Sequence, residues 1–150
     1  MYFLYVRDQL KIYHWTTETY SRHIASDSFV DKLTDKMDKF MEIIQGSENK
    51  RMVLTKKTKE ISFDNENDKS IIKVLNDFSD WLINTLPTYL PKKNTDLMNI
   101  RDDILGDVNN TLYLFTLKWN NSNLYLLSKY YLESPSYLLV ENVYLIQVYV

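Results

Sequence analysis

The chain has 150 residues, of which 45% are hydrophobic and 25% charged, and its formal net charge is -2 at pH 7. This composition is typical of one globular domain and excludes a disordered or collagen-like chain. The absence of cysteine excludes disulfides and thiolate metal ligands, and the slight acidic excess excludes an overall positive field for nucleic acid. We see no signal peptide, and no uncharged stretch of the sequence is long enough to cross a bilayer. We therefore expect a cytoplasmic protein without membrane contact.

The first half of the chain has the spacing of two amphipathic helices. Only two glycines and three prolines interrupt the sequence, which favours an all-α fold. Apolar residues three and four positions apart predict a first helix over residues 2–20. The same spacing predicts a second helix that begins near Ser26 or Ser28 and ends at Gly46.

Two more helices are predicted after a long polar connection at residues 47–68. The third helix is predicted over residues 69–85, ended by the proline-containing segment that follows. The fourth is predicted to begin at an Asn94 or Thr95 cap, and its apolar stripe continues to Trp119. The sequence thus predicts a four-helix bundle over residues 1–120.

The composition changes after the predicted bundle. Residues 121–150 form an aromatic-rich C-terminal extension, which we predict to be non-helical, with a short β-prone segment at residues 143–150. The extension could be a hairpin laid on the bundle, a partner-binding strand or exposed apolar surface, and the sequence does not distinguish these.

The second predicted helix carries a stripe of acidic residues spaced three and four positions apart. The stripe consists of Asp27, Asp31, Asp35, Asp38 and Glu42. One interpretation is a solvated face on which Lys32, Lys36 and Lys39 partly relieve the repulsion between carboxylates. The other is a metal site, since oxygen ligands together with histidine suit iron or manganese.

The two histidines, His14 and His23, lie just before this stripe. On one helix His23 and Asp27 are a turn apart, whereas Asp38 and Glu42 lie about 16 Å further along the axis. One chain cannot bring both ends of the helix to the same ion. A shared site therefore requires the opposite end of the helix in a second copy of the chain.

These residues resemble the signature of the Dps-type branch of the ferritin superfamily. The resemblance rests on Tyr13-His14-Trp15, followed by His23, Asp27, Asp38 and Glu42. It implies a ferritin-like four-helix bundle that assembles at least as a dimer and oxidises and sequesters Fe(II) with peroxide or oxygen. The implied ferroxidase site takes His14, His23 and Asp27 from one chain and Asp38 and Glu42 from its mate. Iron is the implied metal, with manganese or zinc as alternatives. Whether the site turns over or only binds metal is left open.

The sequence is also similar to ferritin-like bundle proteins of large DNA viruses and phages, which share an arginine-histidine pair like Arg22-His23. That similarity implies a viral protein in the host cytoplasm or the virion. The alternative function is a non-enzymatic structural or interaction protein that keeps the bundle and binds a protein partner through residues 124–150. DNA binding through the basic residues between Lys50 and Lys59 is a third interpretation, although the basic N-terminal tail that Dps proteins use on DNA is missing.

Two smaller expectations concern burial. Trp15, Trp81 and Trp119 lie on three different predicted helices, and we expect them in the core. Asp103 and Asp107 form an acidic pair one turn apart on the fourth predicted helix, and we expect both to be exposed to solvent.

Overall fold

The structure is a computed structural model that describes residues 2–53, 62–91 and 93–117. All regular secondary structure in these ranges is helical, which confirms the all-α fold class. The helices are α1 (Tyr2–Thr16), α2 (Tyr20–Glu48), α3 (Ser70–Asp80), a π-helical turn (Trp81–Thr85), α4 (Leu86–Tyr89) and α5 (Thr95–Leu114). No described helix combines the length and apolar character that crossing a membrane requires. The predicted extension at residues 121–150 lies outside the described residues.

The junction between the first two helices differs from the prediction. Helix α1 ends at Thr16 and α2 begins at Tyr20, so α2 starts well before the predicted serine caps. The backbone of Thr19 is extended at the α2 N-cap, which separates the helices. Ser26 lies inside α2, where its hydroxyl donates to the carbonyl three residues earlier. The side chain therefore does not compete with the backbone hydrogen bonds of the helix.

The far end of α2 also differs slightly from the prediction. The helix passes Gly46 and ends at Glu48. Asn49 follows with a left-handed backbone (φ 48°), and its N–H donates to the Gly46 carbonyl. Asparagine tolerates this conformation better than most residues, so it takes the terminating role that we predicted for glycine.

The four longer helices, α1, α2, α3 and α5, pack around one core. Helices α1 and α5 each contact both α2 and α3. Helices α2 and α5 are antiparallel, because Ser21 donates to the Leu117 carbonyl at one end and Asn94 donates to Ser47 at the other. Helices α1 and α2 are antiparallel through their short turn, and α3 is antiparallel to α1. The connection between α2 and α3 therefore begins at one end of the packed helices and finishes at the other.

The core consists of the apolar stripes of these helices, largely at the predicted positions. Its fully buried large side chains include Leu10, Tyr13, Phe29, Leu33, Ile71, Leu75, Phe78, Leu82, Leu97 and Ile104.

One buried polar side chain ties the α2–α3 connection to the core. Gln9 is fully buried, and its amide donates to the Asp64 carbonyl (2.5 Å) and accepts from the Asp64 N–H (3.1 Å). The side chain thus satisfies both backbone groups of one connection residue. This contact holds the second half of the connection against α1.

The third predicted helix continues past Pro87 by way of the π-helical turn. Proline has no N–H, and the Leu86 N–H donates to the Trp81 carbonyl. Pro87 has no N–H to donate to the next carbonyl, that of Leu82. This carbonyl accepts a long hydrogen bond (3.4 Å) from Arg101 of α5 instead. The wider turn and the arginine together accommodate the proline inside the helical run.

The prediction that all three tryptophans lie in the core is wrong for Trp15, whose side chain is 69% exposed. Trp15 and Leu4 lie eleven residues apart on the face of α1 that points away from the core. Trp81 is half-buried and packs edge-on against Phe3, with ring centroids 5.3 Å apart. Trp119 lies outside the described residues.

The expected exposure of Asp103 holds, but that of Asp107 does not. The Asp107 carboxylate is largely buried between α5 and α2, where it accepts a short hydrogen bond from Lys36 and lies 3.8 Å from Lys32. These lysines therefore neutralise a carboxylate of α5 and are turned away from the acidic stripe of α2.

We expect Asp107→Asn to lower the free energy of unfolding by about 1 kcal/mol, because it leaves Lys36 with a neutral partner at a partly buried contact. Urea unfolding followed by circular dichroism measures the effect. Asp103→Asn is the matched control, since its exposed side chain removes the same charge from the same helix. Equal losses in both variants would contradict a specific role for the Asp107 ion pair.

Candidate metal site

The turn between α1 and α2 brings the two histidines together. His14 lies near the end of α1 and His23 near the start of α2, at similar distances from the turn at residues 17–19. Their imidazole rings stack with centroids 3.9 Å apart and an interplanar angle of 21°. Both predicted site histidines therefore occupy one place in a single chain.

Each histidine is oriented by the backbone of the other. The Nδ1 atom of His14 lies 2.9 Å from the His23 carbonyl, and the Nδ1 atom of His23 lies 2.9 Å from the His14 carbonyl. A carbonyl oxygen only accepts hydrogen bonds, so each Nδ1 carries the proton. In the neutral rings the lone pair is then on Nε2, the tautomer that metal-binding histidines adopt when a carbonyl holds the other nitrogen.

Asp27 joins this pair from the next turn of α2. One carboxylate oxygen, Oδ1, lies 3.6 Å from Nε2 of His14. The same oxygen accepts a hydrogen bond of 2.6 Å from the ammonium of Lys11. This hydrogen bond is the main reason that the pKa of the Asp27 carboxyl is lowered, and the nearby histidines contribute less.

Asp38 and Glu42 lie elsewhere on α2. Both side chains are exposed, and neither forms an ion pair or a side-chain hydrogen bond with another residue that the structure describes. Eleven residues of helix place Asp38 about 16 Å from Asp27. Across the described ranges of one chain, no three histidine, aspartate or glutamate side chains are arranged to hold a metal ion. The structure places His14, His23 and Asp27 close together, but not in an arrangement that could by itself hold a metal ion.

All five predicted ligands nevertheless border one surface, which we call the α1–α2 outer face. It is defined by Leu4, Lys11 and Trp15 of α1 and by Tyr20, Ile24, Asp31, Asp38 and Glu42 of α2. The side chains of Tyr20 and Ile24 are 53% and 51% exposed. The histidine pair thus lies at an aromatic end of this face, and the free carboxylates lie towards its other end.

A network behind the histidines sets the register of the two helices. The Tyr13 hydroxyl donates to the Asp68 carboxylate (2.6 Å), and Arg22 donates to the Asp68 carbonyl (3.0 Å). Arg22 also donates to Tyr13 and lies over the ring of Phe115, 5.0 Å from its centroid. Burial is the main cause that raises the pKa of Tyr13, and the bond to Asp68 adds to it. Each histidine directly follows a member of this network in sequence.

Sequence reasoning missed Lys11 and Asp68. The signal for Lys11 lay in the antiparallel pairing of α1 and α2, in which residues at similar distances from the turn meet. Lys11 and Asp27 are such a pair, but the turn had to be placed correctly at residues 17–19 to see it. Asp68 comes from the long connection, and no local pattern places it beside Tyr13.

The described part of the chain is an all-α protein in which four packed helices present a histidine pair at one end of an acidic face. It belongs to the Family of unknown function (DUF5856), whose model matches residues 14–115. The match covers all five predicted ligands but not Lys11. No curated protein and no solved structure matches the sequence significantly.

Proposed function

We propose that the chain is a Dps-like iron-binding protein that forms at least a dimer and oxidises and sequesters Fe(II) between its subunits. The observation that carries this proposal is the histidine pair. Each imidazole is held by a carbonyl through Nδ1, which leaves Nε2 as the ligand atom, and Nε2 of His14 lies 3.6 Å from the Asp27 carboxylate. Nitrogen and carboxylate oxygen together suit Fe(II).

A second copy supplies the ligands that one chain lacks. If two chains pack across the α1–α2 outer face by a two-fold axis perpendicular to α2, the two α2 helices run in opposite directions. Asp38 and Glu42 of one chain then face the histidine end of the other. The free carboxylates and the exposed Trp15 and Ile24 on this face favour such packing.

The order of the helices also supports a ferritin-like bundle. Helices α1 and α2 are antiparallel, and the connection returns to the other end of the bundle. Helix α3 then packs on α1, and α5 packs on α2. One long crossover between the second and third helices is the connectivity of ferritin-like folds. The fully buried Gln9, bonded to the backbone of the connection, stabilises this crossover.

The chemistry needs little beyond ligand placement. The imidazoles and carboxylates bind Fe(II) as the substrate, and each Fe(II) gives up one electron to an oxidant, peroxide or dioxygen. Carboxylates favour the higher charge of Fe(III), so they lower the free energy of the oxidised product. The network of Tyr13, Arg22 and Asp68 holds the histidines in place during the reaction.

The proposal is tested by anaerobic Fe(II) titration, elemental analysis and size-exclusion chromatography on the full chain. We expect an oligomer that binds one or two irons per chain, and growth of Fe(III) absorbance after peroxide is added. In Asp38→Asn/Glu42→Gln we expect at least about a hundredfold loss of iron affinity with an unchanged helical spectrum.

Asp31→Asn/Asp35→Asn is the matched control, because it removes two charges from the same exposed stripe of α2 without touching the proposed ligands. It should bind iron nearly as well as the wild type. Equal losses in the two double variants would reduce the effect to general charge attraction. A folded wild-type oligomer that binds no iron would overturn the proposed function.

A further inference from the structure

Within a single chain, the Asp27 carboxylate already has a cationic partner, the ammonium of Lys11. The Lys11 ammonium lies 2.6 Å from Oδ1, the same oxygen that lies 3.6 Å from Nε2 of His14. Lys11 reaches this oxygen from α1, one turn before His14, so its stem runs along the same face as the histidine. An ammonium and a metal ion cannot both occupy this side of one carboxylate oxygen.

We propose that Lys11 is a built-in competitor for the cation position of the site, so that a divalent metal binds by displacing its ammonium from Asp27. This inference rests on the proposed function, because it assigns a regulatory residue to the same site. Lys11 neutralises the carboxylate while the site holds no metal. The apparent affinity for metal is then the intrinsic affinity multiplied by the fraction of time that Lys11 leaves the oxygen free.

The surroundings of Lys11 make the displacement feasible. Its side chain is 34% exposed and that of Asp27 is 44% exposed, so the released ammonium can be hydrated at once. Lys11 forms no other hydrogen bond or ion pair with the part of the chain that the structure describes. An exposed ion pair of this kind is weak enough to be broken by a metal that gains two imidazole ligands.

The test compares metal affinities of the full-length protein measured by calorimetry with Co(II) and Zn(II), which avoid oxidation during the titration. We expect Lys11→Met to bind metal about fivefold to tenfold more tightly than the wild type. Lys11→Arg keeps a cation at the carboxylate and should stay near the wild type. Lys32→Met is the charge control, since it removes a lysine whose partner is Asp107 on the other side of α2.

A second measurement follows Lys11 itself. Acetic anhydride labelling, quantified by mass spectrometry with and without Zn(II), should show Lys11 reacting faster once metal has released it. Lys32 should keep the same rate.

The outcomes separate this inference from the proposed function. Tighter binding by Lys11→Met alone supports competition. Metal binding of equal strength in the wild type and Lys11→Met would overturn the role of Lys11 and leave the metal site standing. Equal tightening by Lys32→Met would show that only net charge matters, which also overturns it. If no variant binds Co(II) or Zn(II), both the site and its competitor are wrong.

Discussion

Iron binding should return when two inactive variants share one oligomer. His23→Ala lacks an imidazole ligand, and Asp38→Asn/Glu42→Gln lacks the carboxylates at the far end of α2. In a two-fold dimer with one chain of each kind, one of the two sites keeps all of its ligands and the other loses both sets. Random pairing of equal amounts makes half of the dimers mixed, so about one quarter of the wild-type iron capacity should be recovered.

The mixed oligomers are obtained by co-expression with two different affinity tags and sequential purification, which isolates the mixed dimers. In that fraction iron capacity should rise to about half of the wild-type value, as one site in two is complete. Each variant expressed alone should bind almost no iron. An absence of recovery in verified mixed dimers would place all the ligands of any metal site within one chain, contrary to the 16 Å separation along α2.

A second large effect is expected from the core. Phe78 is fully buried in α3, and its ring lies 5.8 Å from that of Phe3 and 5.7 Å from that of Tyr2. Phe78→Ala leaves a cavity between α1 and α3 and should lower the free energy of unfolding by about 3–5 kcal/mol. For a domain of this size the melting temperature should fall by about 10 °C.

Tyr89→Ala serves as the control, because it also removes an aromatic ring but from a side chain that is 74% exposed. Thermal unfolding followed by circular dichroism should show almost no change for this variant. A small effect of Phe78→Ala, similar to that of Tyr89→Ala, would mean that α3 does not depend on its contact with α1.

The core could be predicted from spacing, because burial of an apolar stripe depends on positions three and four apart within one helix. Leu33, Ile71, Phe78 and Ile104 all follow such stripes and are all fully buried. Trp15 shows where this reasoning fails. An aromatic residue is attractive to a core, but the phase of α1 is set by its other apolar residues, and that phase turns Trp15 outwards.

The histidine site was only partly predictable. Sequence spacing placed His23 one turn from Asp27, and a resemblance suggested His14 as their neighbour. The stacking of the histidines depends on where the α1–α2 turn lies, and the threonines at residues 16, 17 and 19 are weak turn signals. A turn displaced by even two residues rotates His14 by more than half a turn away from His23.

Charged partners were the least predictable part. Lys36 directly follows Asp35 of the acidic stripe in the sequence. Only the packing of α5 against α2 decides that Lys36 binds Asp107 instead. Lys11 and Asp27 are sixteen residues apart and meet only through the helix pairing.

The sequence by itself determined the helical class, the buried faces of the helices and the spacing of carboxylates along α2, because these follow from residue periodicity within one helix. Only the tertiary structure decided which groups distant in the local pattern meet: the rings of His14 and His23, the charges of Lys11 and Asp27, and the Gln9 side chain with the Asp64 backbone. The reason is physical. Contacts between helices depend on where each turn ends a helix and on how the helices rotate to bury the shared core. Neither can be predicted from the local sequence pattern.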